Sequence, residues 1–379
     1  MIKKLSIITL IFLCSSCSFT SLIIKGKGDL KLKQVGFEDL PGWKKDQQNR
    51  AVISLVNSCH QFAKMPEDKK IGGQIGNIAV ADFHDVCDIA EVIKGMDNKQ
   101  ARNFFENWFV PFEVSTQGGN IYGLFTGYYV PELKGSKVKT EIYQYPVYAN
   151  PKTLAKTLAK TLVTNNLADL DFTREEIENG ALANKNLELF YVDNPVDLFF
   201  MQVQGSGRII LENGVVVRLG FAGKNNHQYS SIGKYIIENN ILGSEIPAYF
   251  SIKNWLKNNP IDAKKVMNVN QSYIFFKVSN SDDVFGSGGS PLMTERSLAV
   301  DSEIVPLGFP LWVNINTPNN PYQKLVVAQD TGSAIKGAVR GDVFFGRGKN
   351  AENLAAKMNY KGKYYILLPV AAVDRIVGR

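Results

Sequence analysis

A mainly β protein with helices towards its N-terminus is the fold class that these 379 residues predict, and three changes of pattern predict it. From Gln47 to Phe109 apolar residues recur at helical spacing, most clearly at Ala101, Phe104, Phe105 and Trp108. From Pro131 to about Asn270 helix and strand patterns are mixed. From Tyr273 onward short apolar segments alternate with Gly- and Pro-rich turns, a spacing that suits a small closed barrel. The chain is longer than one small core usually organises, so two domains are expected. They are either successive units or one unit interrupted by another, and periodicity does not choose between these.

In chain order, the charged start Met1-Ile2-Lys3-Lys4 and the apolar run to Leu13 read as a secretory signal over residues 1–17. Cys17, after two serines, is the expected lipidation site. Cys14 stands where lipoprotein signals usually carry Leu, so cleavage to an unanchored exported protein is the alternative. Export leaves Cys59 and Cys87, which either form one disulfide in an oxidising compartment or pack as buried thiols on apolar helical faces. Pro111 ends the helical stretch, and Tyr122 to Val130 reads as strand, bend and strand. The middle segment offers strands at Tyr145–Tyr148, Leu189–Val192 and Leu198–Val203, short helices near Thr173 and Trp255, and a hairpin at Asn213-Gly214. A tandem Lys-Thr-Leu-Ala repetition begins at Lys152.

A formal net charge of +7 suits contact with a polyanion. For an exported protein that means the cell-wall polymer or lipid head groups. Nucleic acid is disfavoured, since export removes it and basic residues do not cluster with aromatics. The three histidines, His60, His84 and His227, are scattered and lack metal-ligand spacing, so neither metal nor cofactor is expected. No coiled-coil repeat suggests an oligomer, and a monomer is expected.

The densest unusual sequence is Gln329-Asp330-Thr331-Gly332-Ser333-Ala334-Ile335-Lys336-Gly337, followed at once by Arg340-Gly341-Asp342-Val343-Phe344-Phe345-Gly346. Asp330 enters a turn. Asp342, twelve residues later, opens an apolar strand, where desolvation raises a carboxyl's pKa and keeps it protonated as a general acid. A third acid, Asp301, follows Ala299-Val300 just before a turn.

In these contexts Asp301, Asp330 and Asp342 resemble the three-aspartate (3D) domain. Phe125-Thr126-Gly127-Tyr128-Tyr129-Val130-Pro131-Glu132 and Phe200-Met201-Gln202-Val203-Gln204-Gly205-Ser206-Gly207-Arg208 resemble the entry motif and inserted-domain signature of the lytic murein transglycosylase A family. The departure is Ser333, where that family commonly has a second Gly. The resemblance implies a double-psi β-barrel domain built from residues 18–128 and 271–379, interrupted by a β-rich domain over 129–270, with a substrate groove between them. It also implies cleavage of the β-1,4 bond between N-acetylmuramic acid and N-acetylglucosamine in peptidoglycan, leaving a 1,6-anhydro ring. The location implied is the periplasmic side of a Gram-negative outer membrane, reached through a lipid anchor.

Because the sugar's own C6 hydroxyl attacks in such a reaction, one carboxyl group suffices, and Asp342 is the expected catalytic acid and base. Asp330 is expected to support it. Thr126, Tyr128, Gln202, Gln204, Ser206 and Asp301 are candidates for substrate contact, with Asp301 mostly a turn cap; two amides on one face of a strand is the lesser alternative for the Gln202/Gln204 pair. Two rival readings stand beside this one. Asp330-Thr331-Gly332 matches the aspartic-protease signature, but no second such motif occurs. A wall-binding lipoprotein without activity would need no carboxyl in an apolar setting.

Overall fold

The computed structural model describes residues 22–151, 171–245 and 247–377. Cys17 and the Lys-Thr-Leu-Ala repetition lie outside the described residues. Among the described residues no helix is long and apolar enough to cross a membrane.

The chain opens with strands β1 (Ile23–Lys25) and β2 (Lys31–Gln34), then helices α1 (Gln48–Phe62), α2 (His84–Ile93) and α3 (Asn98–Trp108). Strands β3 (Phe109–Ser115) and β4 (Gly123–Val130) follow. Next come β5 (Glu132–Ser136), β6 (Tyr145–Tyr148), β7 (Glu188–Val192), helix α4 (Pro195–Gln204), β8 (Gly207–Leu211) and β9 (Val216–Lys224). Helices α5 (Ile232–Glu238), α6 (Tyr249–Asn258) and α7 (Pro260–Asn268) lead to β10 (Ile274–Ser279). The C-terminal part holds β11 (Ser297–Ala299), β12 (Pro310–Ile315), β13 (Tyr322–Asp330), β14 (Arg340–Arg347), α8 (Gly348–Lys357), β15 (Asn359–Pro369) and α9 (Val370–Val377).

These strands form two sheets. One runs β1-β2-β3-β15-β12-β13-β11-β14-β4, and β4 pairs back onto β15, so β15, β12, β13, β11, β14 and β4 close a six-stranded ring. Two pairs in that ring are parallel, β11 with β13 and β14 with β4. The second sheet runs β10-β9-β8-β5-β7-β6. One apolar core joins the N-terminal helices to the C-terminal strands: Trp43 packs on Trp312 with ring centroids 5.1 Å apart, and Phe83 on Phe309 at 4.8 Å. The N-terminal and C-terminal parts of the chain thus share one sheet and one core, and most of the strands between them form the second sheet.

A buried ion pair reinforces that core. The Arg296 guanidinium donates to both carboxylate oxygens of Asp46 at 2.7 and 2.8 Å, and the Leu325 amide donates to the same carboxylate at 2.9 Å.

Several expectations are corrected by pairing and capping. The stretch Leu198–Val203 is helix rather than strand. Asn194 caps it by accepting from the Val196 and Asp197 amides, Pro195 presets its first turn and Gly205 ends it in the left-handed region. Its apolar residues are buried in two separate clusters, with Leu198 and Met201 in one and Val196, Phe199 and Phe200 in the other. Both faces are apolar, which hides the helical period. β4 is one continuous strand with no bend. β10 pairs with β9, so the second sheet extends past residue 270, where the return to the barrel was expected.

The two units meet at Glu352 on α8. Its carboxylate accepts from Lys253 of α6 at 2.7 Å, from Lys349 at 2.7 Å, and from the hydroxyls of Tyr129 and Tyr249 at 3.1 Å. Burial alone would push this carboxyl's pKa up, but the hydrogen bonds and charge of the two lysines hold it down at about 2.

Cys59 of α1 and Cys87 of α2 form a disulfide across a sequence separation of 28. Loop-closure entropy for such a span is about 3–4 kcal/mol. The Cys59→Ser/Cys87→Ser protein is expected to lose stability of that order in denaturant unfolding monitored by circular dichroism; an unchanged midpoint would show that the helix packing alone fixes this corner.

Candidate active site

Three strands of the ring bring the candidate carboxyls together. In β11, Ala299 pairs with Asp342 on its antiparallel side and with Asp330 on its parallel side, so one short strand separates the two acids. β4 lies beyond β14, with Thr126 directly opposite Asp342 and Tyr128 opposite Phe344.

β4 reaches this position because Gly127 has no side chain. A Cβ there would sit 2.7 Å from the Phe345 ring and 2.8 Å from the Ala355 Cα. Helix α8 can thus lie directly on the strand, which gives a physical reason for the Thr-Gly-Tyr sequence.

Each acid has its own set of donors. The Thr126 hydroxyl donates to Asp342 Oδ1 at 2.7 Å, and Arg340 Nη2 donates to the Thr126 Oγ1 at 2.8 Å. A guanidinium cannot accept, so this order fixes the direction of the chain. The Thr126 proton points to Oδ1 and leaves Oδ2 without a hydrogen-bond donor among the described residues. Burial drives the Asp342 pKa up to about 6, against the opposing effects of Arg340 and the Thr126 hydrogen bond and with a further push from Asp330.

Asp330 accepts from the Ser287 and Thr331 amides at 2.8 and 2.9 Å and from the Tyr128 hydroxyl at 2.9 Å. Its pKa is also raised by burial, with those donors opposing the rise. Tyr128, whose own pKa is raised by burial and then by Asp330, stacks on Phe344 with centroids 5.2 Å apart. Among the described hydrogen bonds none joins Asp330 to Asp342, so the two carboxyls do not share a proton in the way an aspartic-protease pair must.

Beside Asp330 and Tyr128 runs a cavity of about 660 Å³ between the two units, and Asp342 and Thr126 are not among the residues that line it. Tyr128, Asp330 and Thr331 line it from the barrel, and Gln204, Ser206 and Arg208 from the inserted unit. Phe221 and Phe285, 53% and 48% exposed, offer apolar faces along it.

The other predicted residues divide. Gln204 faces the cavity, and its amide oxygen accepts from the Tyr129 backbone at 3.0 Å, tying α4 to β4. Gln202 touches the cavity but is 2% exposed, and its amide oxygen accepts from the buried Arg174 at 2.5 Å. On a helix, residues two apart point in different directions, so the expectation of two amides on one strand face fails. Asp301 lies away from the cavity and caps a turn, accepting from the Gly337 amide at 2.9 Å and from Lys336 at 3.3 Å.

Two contributors were missed. Arg340 sits two residues before Asp342 on one strand, a same-face spacing that was available to inspection. Ser287 lies in the Gly286-Ser287-Gly288-Gly289 run, which reads in sequence as a flexible turn beside the groove and does line it, but nothing local marks Ser287 as a donor to Asp330. That turn closes on β13 because a Cβ at Gly286 would lie 2.2 Å from the Gln329 carbonyl oxygen.

Comparison with known proteins gives the family. Residues 124–277 match the family description "MltA specific insert domain" and residues 296–368 match "3D domain". The membrane-bound lytic murein transglycosylase A of Vibrio cholerae is 34% identical over 258 residues, 66% of either chain, and that of Escherichia coli K12 is 31% identical over 283 residues, 72% of either chain. Among solved structures, a membrane-bound lytic murein transglycosylase from Agrobacterium tumefaciens superposes with a TM-score of 0.79 at 30% identity, covering 91% of this chain and 99% of that one. Escherichia coli MltA with bound chitohexaose superposes at 0.62 and 27% identity, covering 76% and 82%. The chain belongs to the membrane-bound lytic murein transglycosylase A family.

Proposed function

We propose that this protein cleaves the β-1,4 bond between N-acetylmuramic acid and N-acetylglucosamine in peptidoglycan without water, with Asp342 as both acid and base. The observation that carries the reading is the asymmetry of two neighbouring carboxyls, of which Asp330 lines the groove and Asp342 is set behind that lining. Asp330 is committed to three donors. Asp342 accepts one hydrogen bond, at Oδ1, and keeps Oδ2 for a proton that burial retains to about pH 6.

In the forward step Oδ2 donates its proton to the glycosidic oxygen as the C1–O bond breaks, releasing the 4-hydroxyl of N-acetylglucosamine. The carboxylate, now ionised, accepts the proton of the muramic C6 hydroxyl, and O6 bonds C1 to close the anhydro ring. The proton returns to Asp342, so the cycle needs no second acid. Arg340, acting through Thr126, favours the ionised form in the second half, while burial favours the neutral form in the first. Tethering the nucleophile to the reacting ring supplies its effective concentration.

The finer features follow the same reading. The closed ring with two parallel pairs supports a double-psi barrel, and Cys17 would carry the lipid that holds a monomeric enzyme on the periplasmic face of the outer membrane. The bound chitohexaose of the Escherichia coli relative supports a glycan in the groove.

Two measurements test this. Mass spectrometry of purified cell wall digested by the protein is expected to show 1,6-anhydro-muramic ends, and Asp342→Asn to lower their rate by about 10²–10⁴-fold or more. Reducing ends would instead identify a hydrolase. The second is the pH dependence of kcat/KM, which should fall as pH rises through about 6 because the acid must be protonated. Thr126→Val and Arg340→Gln each remove a group that stabilises the carboxylate, so the descending limb is expected at higher pH in both. A limb that stays fixed while the rate drops would assign these two residues to folding alone.

A further inference from the structure

The lining of the groove carries more cations than acids, and most of the cations stand on the inserted unit's sheet. Five cations line the cavity, Arg208, Arg218, Lys224, Lys277 and Arg347, against the acids Asp283 and Asp330. Strand register shows how four of them come to be there. Arg208 of β8 and Arg218 of β9 are direct cross-strand partners, Arg218 in turn faces Ser279 of β10, and Lys277 lies two residues from Ser279 on the same strand. Lys224 ends β9.

Like charges placed directly opposite are destabilising in an antiparallel pair, so the Arg208/Arg218 pairing works against the stability of the sheet. It is tolerated because each arginine has an outer acid: Glu132, which pairs with Arg208 across β5, and Asp282, which meets Arg218 beside a 2.9 Å bond from its Nη1 to the Ser281 carbonyl. Both acids lie outside the cavity lining. The Nε–H groups of both arginines are buried without an acceptor among the described residues. Lys224, Lys277 and Arg347 are exposed and form no ion pair among the described residues. Packing does not require three unpaired cations along a groove. A ligand with negative charges at intervals does.

We propose that this strip binds carboxylates carried on the lactyl groups of the glycan, chiefly those of the peptide stems, and so makes the protein selective for stem-bearing strands over neutral sugar chains. The inference rests on the peptidoglycan reading and adds the substrate feature recognised. The shared chemistry is the carboxylate, which has two sources: a stem, or the free lactyl group that remains when a stem is removed.

Three ligands separate these cases: chitohexaose, which is neutral; glycan strands stripped of stems by an amidase, which keep lactyl carboxylates; and strands with intact stems. Binding is measured by titration calorimetry in the full Asp342→Asn protein, where turnover does not interfere. Stem-bearing strands are expected to bind at least tenfold more tightly than chitohexaose in low salt, with the difference shrinking as salt screens exposed charges. The combined Lys224→Gln, Lys277→Gln, Arg347→Gln variant is expected to lower that ratio by about tenfold, the sum of three modest exposed pairs. A charge-retaining version, Lys224→Arg, Lys277→Arg, Arg347→Lys, is expected to keep it and guards against a folding artefact. Equal affinity of stripped and stem-bearing strands would uphold the strip and assign it to the lactyl group. A wild-type preference that survives in the neutral variant, or no preference at all, would overturn the proposal. Failure to bind any of the three ligands would overturn the peptidoglycan reading with it, whereas binding without anhydro products would overturn only the reaction.

Discussion

The ion pair between Asp46 and Arg296 is the constraint on which the site depends. Its partners are separated by 250 residues, and the whole inserted unit lies between them in the chain. Arg296 immediately precedes β11, and β11 holds Asp342 on one side and Asp330 on the other through Ala299. Fixing Arg296 therefore fixes the register of the strand that spaces the two acids. A buried pair of this kind contributes little net stability, because desolvating two ions offsets much of their attraction, yet losing one partner costs about 3–5 kcal/mol. Its effect is specificity: a β11 shifted by one residue would strand a guanidinium in the core, where Arg296 already leaves its Nε without an acceptor.

Given that register, the division of labour between the acids follows from their donors. Asp330 sits where β13 meets a turn, and turns present free amides, so Ser287 and Thr331 supply two of its three hydrogen bonds. Asp342 lies inside a ladder whose amides face other strands, and only a side chain, Thr126, reaches it. Burial raises the pKa of both, but the donors that favour an anion are concentrated on Asp330. The cluster around Glu352 acts on a larger scale, tying α8 of the barrel to α6 of the insert and so holding the groove's two walls at a set separation.

Much of this was legible before any coordinates. The Gly-Asp-Val-Phe-Phe-Gly run marks a carboxyl entering an apolar strand, and the Asp-Thr-Gly run marks one entering a turn; both environments are local, and local pattern conveys them. Thr126 and Tyr128 were reachable only through resemblance, since their partners lie 216 and 202 residues away. Ring closure between β4 and β15 was illegible for the same reason. Periodicity reports which face of an element is buried and is silent about which strand lies beside it. Gln202 was misplaced by a different failure: α4 is apolar on two faces, and a short apolar run cannot separate buried helix from buried strand unless its capping residues, Asn194-Pro195 and Gly205, are weighed.

For the proposed role of Asp342 a cationic groove presents a conflict, because positive charge favours the carboxylate and would strip Asp342 of the proton that a general acid donates. The structure separates the two requirements. Four of the five lining cations stand on the insert's sheet, and Lys224 and Lys277 among them are exposed to solvent, where screening over about 8 Å at physiological salt weakens their reach across the cavity. The acid is set into the barrel, where burial dominates its ionisation. The charge of Arg340 lowers the pKa of Asp342, but its hydrogen bond goes to the Thr126 hydroxyl rather than to the carboxylate. A direct ion pair would have held the acid ionised. Interposing a hydroxyl lets the same positive charge orient a proton and ease the return to the carboxylate, while burial still sets the pKa close to that at which one group can serve first as acid and then as base.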